Sequence, residues 1–204
     1  MKIVMATRKL LTEIQCIIVS LYESFEDQTL FFHTVNHVLQ VVTHVQELCA
    51  YYQISEADTF VVSTAAWFHD LGYLTVGAAG HEYKSAELAG KYLSERLPDA
   101  DMLMQIQQCI LATILPQRPQ TLLEQIICDA DLYHLGTEDF FYRDGLMRKE
   151  TELRVGKIDD KKWLTGSIDL LESHKFHTKY CQQNLGKKKQ WNLDTSKAML
   201  QKIE

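Results

Sequence analysis

Apolar residues recur at helical spacing along almost the whole chain. Between Arg8 and Phe25 they fall at Leu11, Ile14, Ile17, Ile18, Leu21 and Phe25, the pattern of a helix with one buried face. The pattern returns over Thr34–Tyr52, where Val35, Val38, Leu39, Val42, Val45, Leu48, Cys49 and Tyr52 form a stripe. A third helix is predicted from Ser55, an N-cap residue with Glu56 and Asp58 in the following turn, to His69-Asp70. Gly72 is its natural stop. Leu71–Gly80, which holds three glycines, reads as a loop. Helices are then predicted over His81–Leu97, closed by Pro98, over Ala100–Leu115, closed by Pro116 and Pro119, and over Thr121–Leu135, closed by Gly136. Thr137 is expected to cap a seventh helix with Glu138 and Asp139 in its first turn, and two more fill Asp159–His174 and Phe176–Glu204. No segment keeps strand alternation for long. The expectation is an all-α bundle of about eight or nine helices, a single domain over residues 1–204 with no linker dividing it.

Composition narrows the class. With 204 residues and 46% hydrophobic content, the chain can build one substantial core. The formal net charge of -6 argues against a nucleic-acid coat or a basic membrane binder, although a local basic pocket remains open. Five cysteines, an odd number with no CxxC pair, read as reduced thiols and not as a disulfide framework or zinc ribbon. No apolar run reaches the ~18 residues of a membrane span. The segment after Met1 lacks a signal pattern, so a soluble cytoplasmic protein is expected. The run Lys187-Lys188-Lys189 reads as a solvated helix face.

Chemistry enters at His69-Asp70. Adjacent side chains on a helix point about 100° apart, so they converge on one ion only near a helix end, where this doublet sits. An imidazole nitrogen with a carboxylate oxygen suits a borderline divalent ion. Alone the doublet is common by chance, and a histidine near a helix C-terminus is the bland reading. Upstream, His33 and His37 are four apart and share a helical face. Downstream, Asp129 and Asp131 interrupt an apolar helix containing Ile126, Ile127, Leu132 and Leu135. A buried acid there needs a partner, either a metal or a Lys or Arg. Two His, one His-Asp doublet and one Asp on separate helices make a site inside a bundle. On spacing alone either histidine and either aspartate can supply the ligand.

The order His, His-Asp, Asp resembles the signature of HD-superfamily metal-dependent phosphohydrolases. The words Ala66-Trp67-Phe68-His69-Asp70-Leu71-Gly72, Gly80-His81-Glu82-Tyr83-Lys84-Ser85-Ala86 and Asp129-Ala130-Asp131-Leu132 carry the resemblance, over a motif core of 32–139 followed by a C-terminal helical extension of 140–204. The segment Glu172–Thr178 is similar to the tail of a bacterial subgroup of predicted HD phosphohydrolases. Phe32–Val41 also resembles the Tyr-His-Asn-x-x-His-Ala-x-Asp-Val word of cyclic-nucleotide phosphodiesterases, departing from it at Thr34, Val38 and Gln40.

The resemblance implies a divalent metal (Mn²⁺, Fe²⁺ or Mg²⁺) held by His37, His69, Asp70 and Asp131. His33 then becomes the general acid, with His81 as the second candidate, and Asp70 belongs to the catalytic set. Asp129 becomes a structural acid. His81, Glu82, Lys84 and Asp139 are the implied substrate contacts; Arg118 and Arg143 qualify as phosphate clamps by charge type only. The implied substrate is a small phosphate ester, a nucleotide in first place, cleaved as a mono- or diester by metal-activated water. The alternative is a nucleotide-sensing HD domain with little turnover. No nucleic-acid or membrane partner is expected, and a homodimer is compatible with the reading.

Overall fold

The computed structural model describes residues 2–25 and 29–203, and among them it contains helices and no strand. In chain order these are α1 (Lys2–Ser24), α2 (Val35–Tyr51), α3 (Glu56–Phe68), α4 (Tyr73–Val76), α5 (His81–Leu93), α6 (Ala100–Ala112), α7 (Leu122–Asp131), α8 (Phe140–Val155), α9 (Asp160–Ser173) and α10 (Lys179–Gln201), with a 3-10 turn at Tyr133–Gly136. Nine of these helices have ten residues or more, in keeping with the all-α expectation; α4 is a single turn. Among the described residues no helix is long and apolar enough to cross a membrane. All five cysteines are free, with only Cys16 exposed.

The chain forms two compact units. The first comprises residues 1–26 and 33–131, the second 27–32 and 132–204. In the first unit α3 is the central helix, packed against α1, α2, α5, α6 and α7. That environment explains its composition, since every residue from Phe60 to Phe68 is buried and a helix that is apolar all round is a core helix. The Ser55 side chain accepts from the Asp58 N–H at 3.1 Å and starts it. The buried stripe of α2 (Val38, Val41, Val42, Val45, Leu48) faces α3 and α7, so its register is set by apolar packing.

In the second unit α10 packs against α9 and the 3-10 turn. Buried Asn192 donates from Nδ2 to the carbonyls of Leu135 and Thr137, at 2.9 and 3.0 Å. A Cβ on Gly136 would lie 2.5 Å from Leu185 Cβ, so this close approach requires glycine. Glu150, fully buried on α8, accepts from the backbone N–H groups of both Phe31 and Phe32 at 2.8 Å.

Several predicted boundaries move. Leu71–Gly80 is not all loop, because α4 forms immediately after the doublet. The helix expected to reach Leu97 ends at Leu93, and the one expected to reach Leu115 ends at Ala112. The helix expected over Thr121–Leu135 splits after Asp131, where the backbone tightens into the 3-10 turn. Thr137 does not cap α8: its hydroxyl donates to the His134 carbonyl, and Asp139 occupies the N-cap position. Thr178, not Phe176, starts α10, its side chain accepting from the Cys181 N–H.

Candidate metal centre

Three helices of the first unit end or begin at one point in its interior. His37 lies in the first turn of α2, next to a stripe that is fully buried, and is itself 2% exposed. His69 and Asp70 follow the last turn of α3 and stay buried because Ala65–Phe68 drive that end into the core. Asp131 is the last residue of α7.

The side-chain atoms converge closely. His37 Nε2 lies 3.3 Å from Asp70 Oδ2 and 3.3 Å from Asp131 Oδ1. His69 Nε2 lies 3.2 Å from Asp70 Oδ2 and 3.8 Å from Asp131 Oδ1. The two imidazole nitrogens face each other at 3.4 Å. His37, His69 and Asp70 form a mutual cluster able to hold an ion, and Asp131 meets it on the imidazole side. Asp131 is the more open member, its side chain 16% exposed, and its Oδ2 receives a long hydrogen bond of 3.4 Å from Gln117 Nε2. Asp129, two residues earlier, is completely buried and belongs to the opposite side of α7.

The donor set fits a divalent cation. Ligand bonds of about 2.0–2.2 Å place neighbouring donors about 2.8–3.6 Å apart, depending on whether the bond angle is right or tetrahedral. Four of the five distances fall in that range and the fifth lies just beyond it. His69 Nδ1 donates to the Ala66 carbonyl at 2.8 Å, which turns Nε2 inward and orients the ring as an outer partner does for a metal-bound histidine. Two nitrogens with two carboxylate oxygens match a borderline or hard divalent ion.

Without a cation, protons compensate the buried carboxylates. Burial works against a charged His69, but Asp70, Asp131 and the Ala66 carbonyl outweigh it and push its pKa up to about 9. Burial likewise opposes the Asp70 carboxylate; His69, His37 and His81 overcome it and hold the group well below the usual carboxylate range. His81 opens α5, donates from Nδ1 to the Ala78 carbonyl at 2.9 Å and places Nε2 3.3 Å from Asp70 Oδ1. Burial opposes its charged form too, yet the hydrogen bond to Asp70 raises its pKa. Asp70 therefore has one oxygen among the imidazoles of His37 and His69 and the other on His81.

Other predicted site residues fall around this centre or away from it. His33 precedes α2 and is buried, its ring stacked on Tyr73 with centroids 3.7 Å apart and 6.0 Å from the His81 ring. Tyr73 sits edge-on to His81 at 5.1 Å. Sequence reasoning missed Tyr73; its place directly after His69–Gly72 was the available signal. Glu82 is half-buried, with its carboxylate 3.5 Å from His81 Nδ1. Lys84 pairs with Glu87 at 2.9 Å. Asp139 is exposed at the start of α8 in the second unit. Arg143, in the same unit, lies over the Phe32 ring at 4.6 Å.

A family model described as HD domain matches residues 34–136, half of the chain. No curated protein and no solved structure matches it.

Proposed function

The chain belongs to the HD-domain family, and from that premise we propose that it is a metal-dependent phosphohydrolase that cleaves a small phosphate ester, a nucleotide in first place. The observation that carries this reading is the convergence of the His37 and His69 imidazoles on Asp70 and Asp131, each His–Asp pair 3.2–3.8 Å apart, with His37, His69 and Asp70 buried. The nucleotide preference rests on the similarity of Phe32–Val41 to the phosphodiesterase word and on nothing else.

His37 and His69 would offer Nε2, and Asp70 and Asp131 one oxygen each, to Mn²⁺, Fe²⁺ or Mg²⁺. Such a cation supplies Lewis acidity, lowering the pKa of a water and drawing charge from the phosphoryl oxygens. The chain's own residues handle position and protons. Asp70 holds His69 and His81 in fixed orientations. His81, hydrogen-bonded at both nitrogens, favours its charged form and stands against Asp70, where it can contact a phosphoryl oxygen. His33 is the proposed general acid, because its ring is held in plane by Tyr73 and borders both His37 and His81. His81 is the second candidate for that proton. Glu82 and Lys84 remain proposed substrate contacts, and Lys84 would have to exchange Glu87 for phosphate. The protein is proposed to work in the cytoplasm.

The test is an assay of the purified protein, with each metal added, against phosphomonoesters, phosphodiesters and a nucleotide panel. Metal-dependent turnover that falls at least ~100-fold in Asp70→Ala, and in His33→Ala with metal retained, is the expected result. Metal-dependent nucleotide binding without product would replace the enzyme reading by a sensor. Turnover unchanged in Asp70→Ala would overturn the site.

A further inference from the structure

Charge is distributed unevenly along the chain. Residues 1–131 hold 7 Lys and Arg against 16 Asp and Glu, whereas residues 132–204 hold 14 against 11. Within the latter, the 21 residues from Ser173 to Leu193 contain five lysines, two histidines and no acid. This stretch forms the end of α9, the turn after it and the first two thirds of α10.

A groove of about 330 Å³ opens along that stretch, and among the described residues no acidic side chain lines it. Leu171, Phe176 and Leu193 give it an apolar floor, and Lys175 and Lys189 bring two cations to it. The nearest acids in sequence already have partners: Glu172 pairs with Lys197 at 2.6 Å, and Asp194 accepts from Gln190, which lines the groove. Lys189 is not the solvated member of a charge run that the sequence suggests. It is half-buried and donates to the carbonyl of His174, the C-cap of α9, while its neighbour Lys188 lies over the Trp191 ring. Burial, and then the charge of Lys175, lower its pKa. Capping a helix end uses one of its three N–H donors. That role explains neither the second lysine nor the apolar floor.

Two cations facing a groove without an acid leave uncompensated charge that a doubly charged anion offsets, and lysine serves phosphate as a point charge. An apolar floor beside convergent polar groups is the usual composition of a small-molecule site, and the volume is at the lower end of that class. We propose that this groove binds a small organic phosphate: the dianion between Lys175 and Lys189, the apolar body on Leu171, Phe176 and Leu193. The lining residues are separate from the candidate metal centre, so the second unit carries a binding site of its own.

Phenyl phosphate is the probe, titrated calorimetrically into the full chain with chelator present and at low ionic strength. Saturable binding of about one probe per chain is expected, weakened at least ~5-fold in Lys175→Gln and at least ~10-fold in Lys189→Gln, as loss of a charge-assisted contact implies. Asp70→Ala should bind within ~2-fold of the unaltered chain, and inorganic phosphate at least ~5-fold more weakly than phenyl phosphate, because it lacks the apolar body. If Lys189→Gln does not fold, Lys175→Glu decides, since this exposed charge reversal leaves the helix cap in place and should abolish binding. Absence of saturation, indifference to both Lys175 variants, loss of binding in Asp70→Ala, or equal binding of inorganic phosphate would each overturn the proposal.

Discussion

A methyl group added at position 72 has no room. The φ of Gly72 is -60°, a conformation open to any residue, so the cost of Gly72→Ala is steric and not conformational. A Cβ there would stand 2.2 Å from the His81 carbonyl oxygen, 2.7 Å from the Ser85 nitrogen and 2.8 Å from Lys84 Cβ. Two of these atoms are backbone in the first turn of α5 and cannot rotate away. That turn must retreat by roughly 1 Å to restore ordinary contact, and overpacking of this kind costs about 1–3 kcal/mol. The retreat also strains the Gly72 N–H bond to Ser85 Oγ, now 2.8 Å, and a weakened buried bond adds about 1 kcal/mol. Reduced freedom of the unfolded chain returns about 0.4–1 kcal/mol. The balance is a loss of about 1–3.5 kcal/mol, read as a lower urea midpoint with unchanged slope for chelated protein. Because His81 rides on the displaced turn, turnover should fall as well. A variant within ~0.5 kcal/mol of the unaltered protein would refute the packing argument, since that is the range of neutral surface changes.

Stability of the metal-free protein should depend on pH through His69. Its folded pKa of about 9 exceeds the ordinary 6.5, so the stabilisation is fully present below pH 6.5 and is lost as pH rises through about 9. The shift corresponds to on the order of 3 kcal/mol, to be measured by urea unfolding at pH 6 and above pH 9; a flat profile would refute it. Asp70, depressed instead, contributes above its ordinary pKa and loses that contribution as pH falls toward its folded value. Metal binding at pH 7 should release about one proton from His69, seen calorimetrically in buffers of different ionisation enthalpy; heats independent of buffer would argue against it. Glu150→Ala leaves two backbone N–H groups at 31 and 32 without their acceptor and should destabilise by about 2–4 kcal/mol, with Glu150→Gln milder; a change below ~0.5 kcal/mol in urea unfolding would contradict that role.

Much of the bundle was legible because apolar spacing reports burial directly. The stripe of α2 gives its register, whereas spacing left His33 and His37 both open and the resemblance chose His37. Ser55 caps α3 as its side chain predicts. The opposition of Asp129 and Asp131 follows from helical geometry, and the structure puts Asp131 beside His37 while Asp129 is enclosed. Helix ends were less legible where packing, not a breaker, sets them: α5 stops at Leu93, well before Pro98, and α7 yields to a 3-10 turn after Asp131 although Gly136 comes later. Tyr73 was missed because stacking on His33 depends on where α4 places it, which no local spacing encodes. Lys189 looked like any lysine in a charged run, and only the turn of α10 toward the end of α9 separates it from Lys187 and Lys188.

The proposed chemistry depends on the four converging donors forming a metal centre. The most direct measurement is metal content by elemental analysis, after equilibration with Mn²⁺ and removal of free ion, for the unaltered chain and Asp70→Ala. About one tightly held ion per unaltered chain is expected, and less than about a tenth of that in the variant, with the helical circular dichroism signal retained. Equal metal in the two proteins, or none in the unaltered chain, would contradict it.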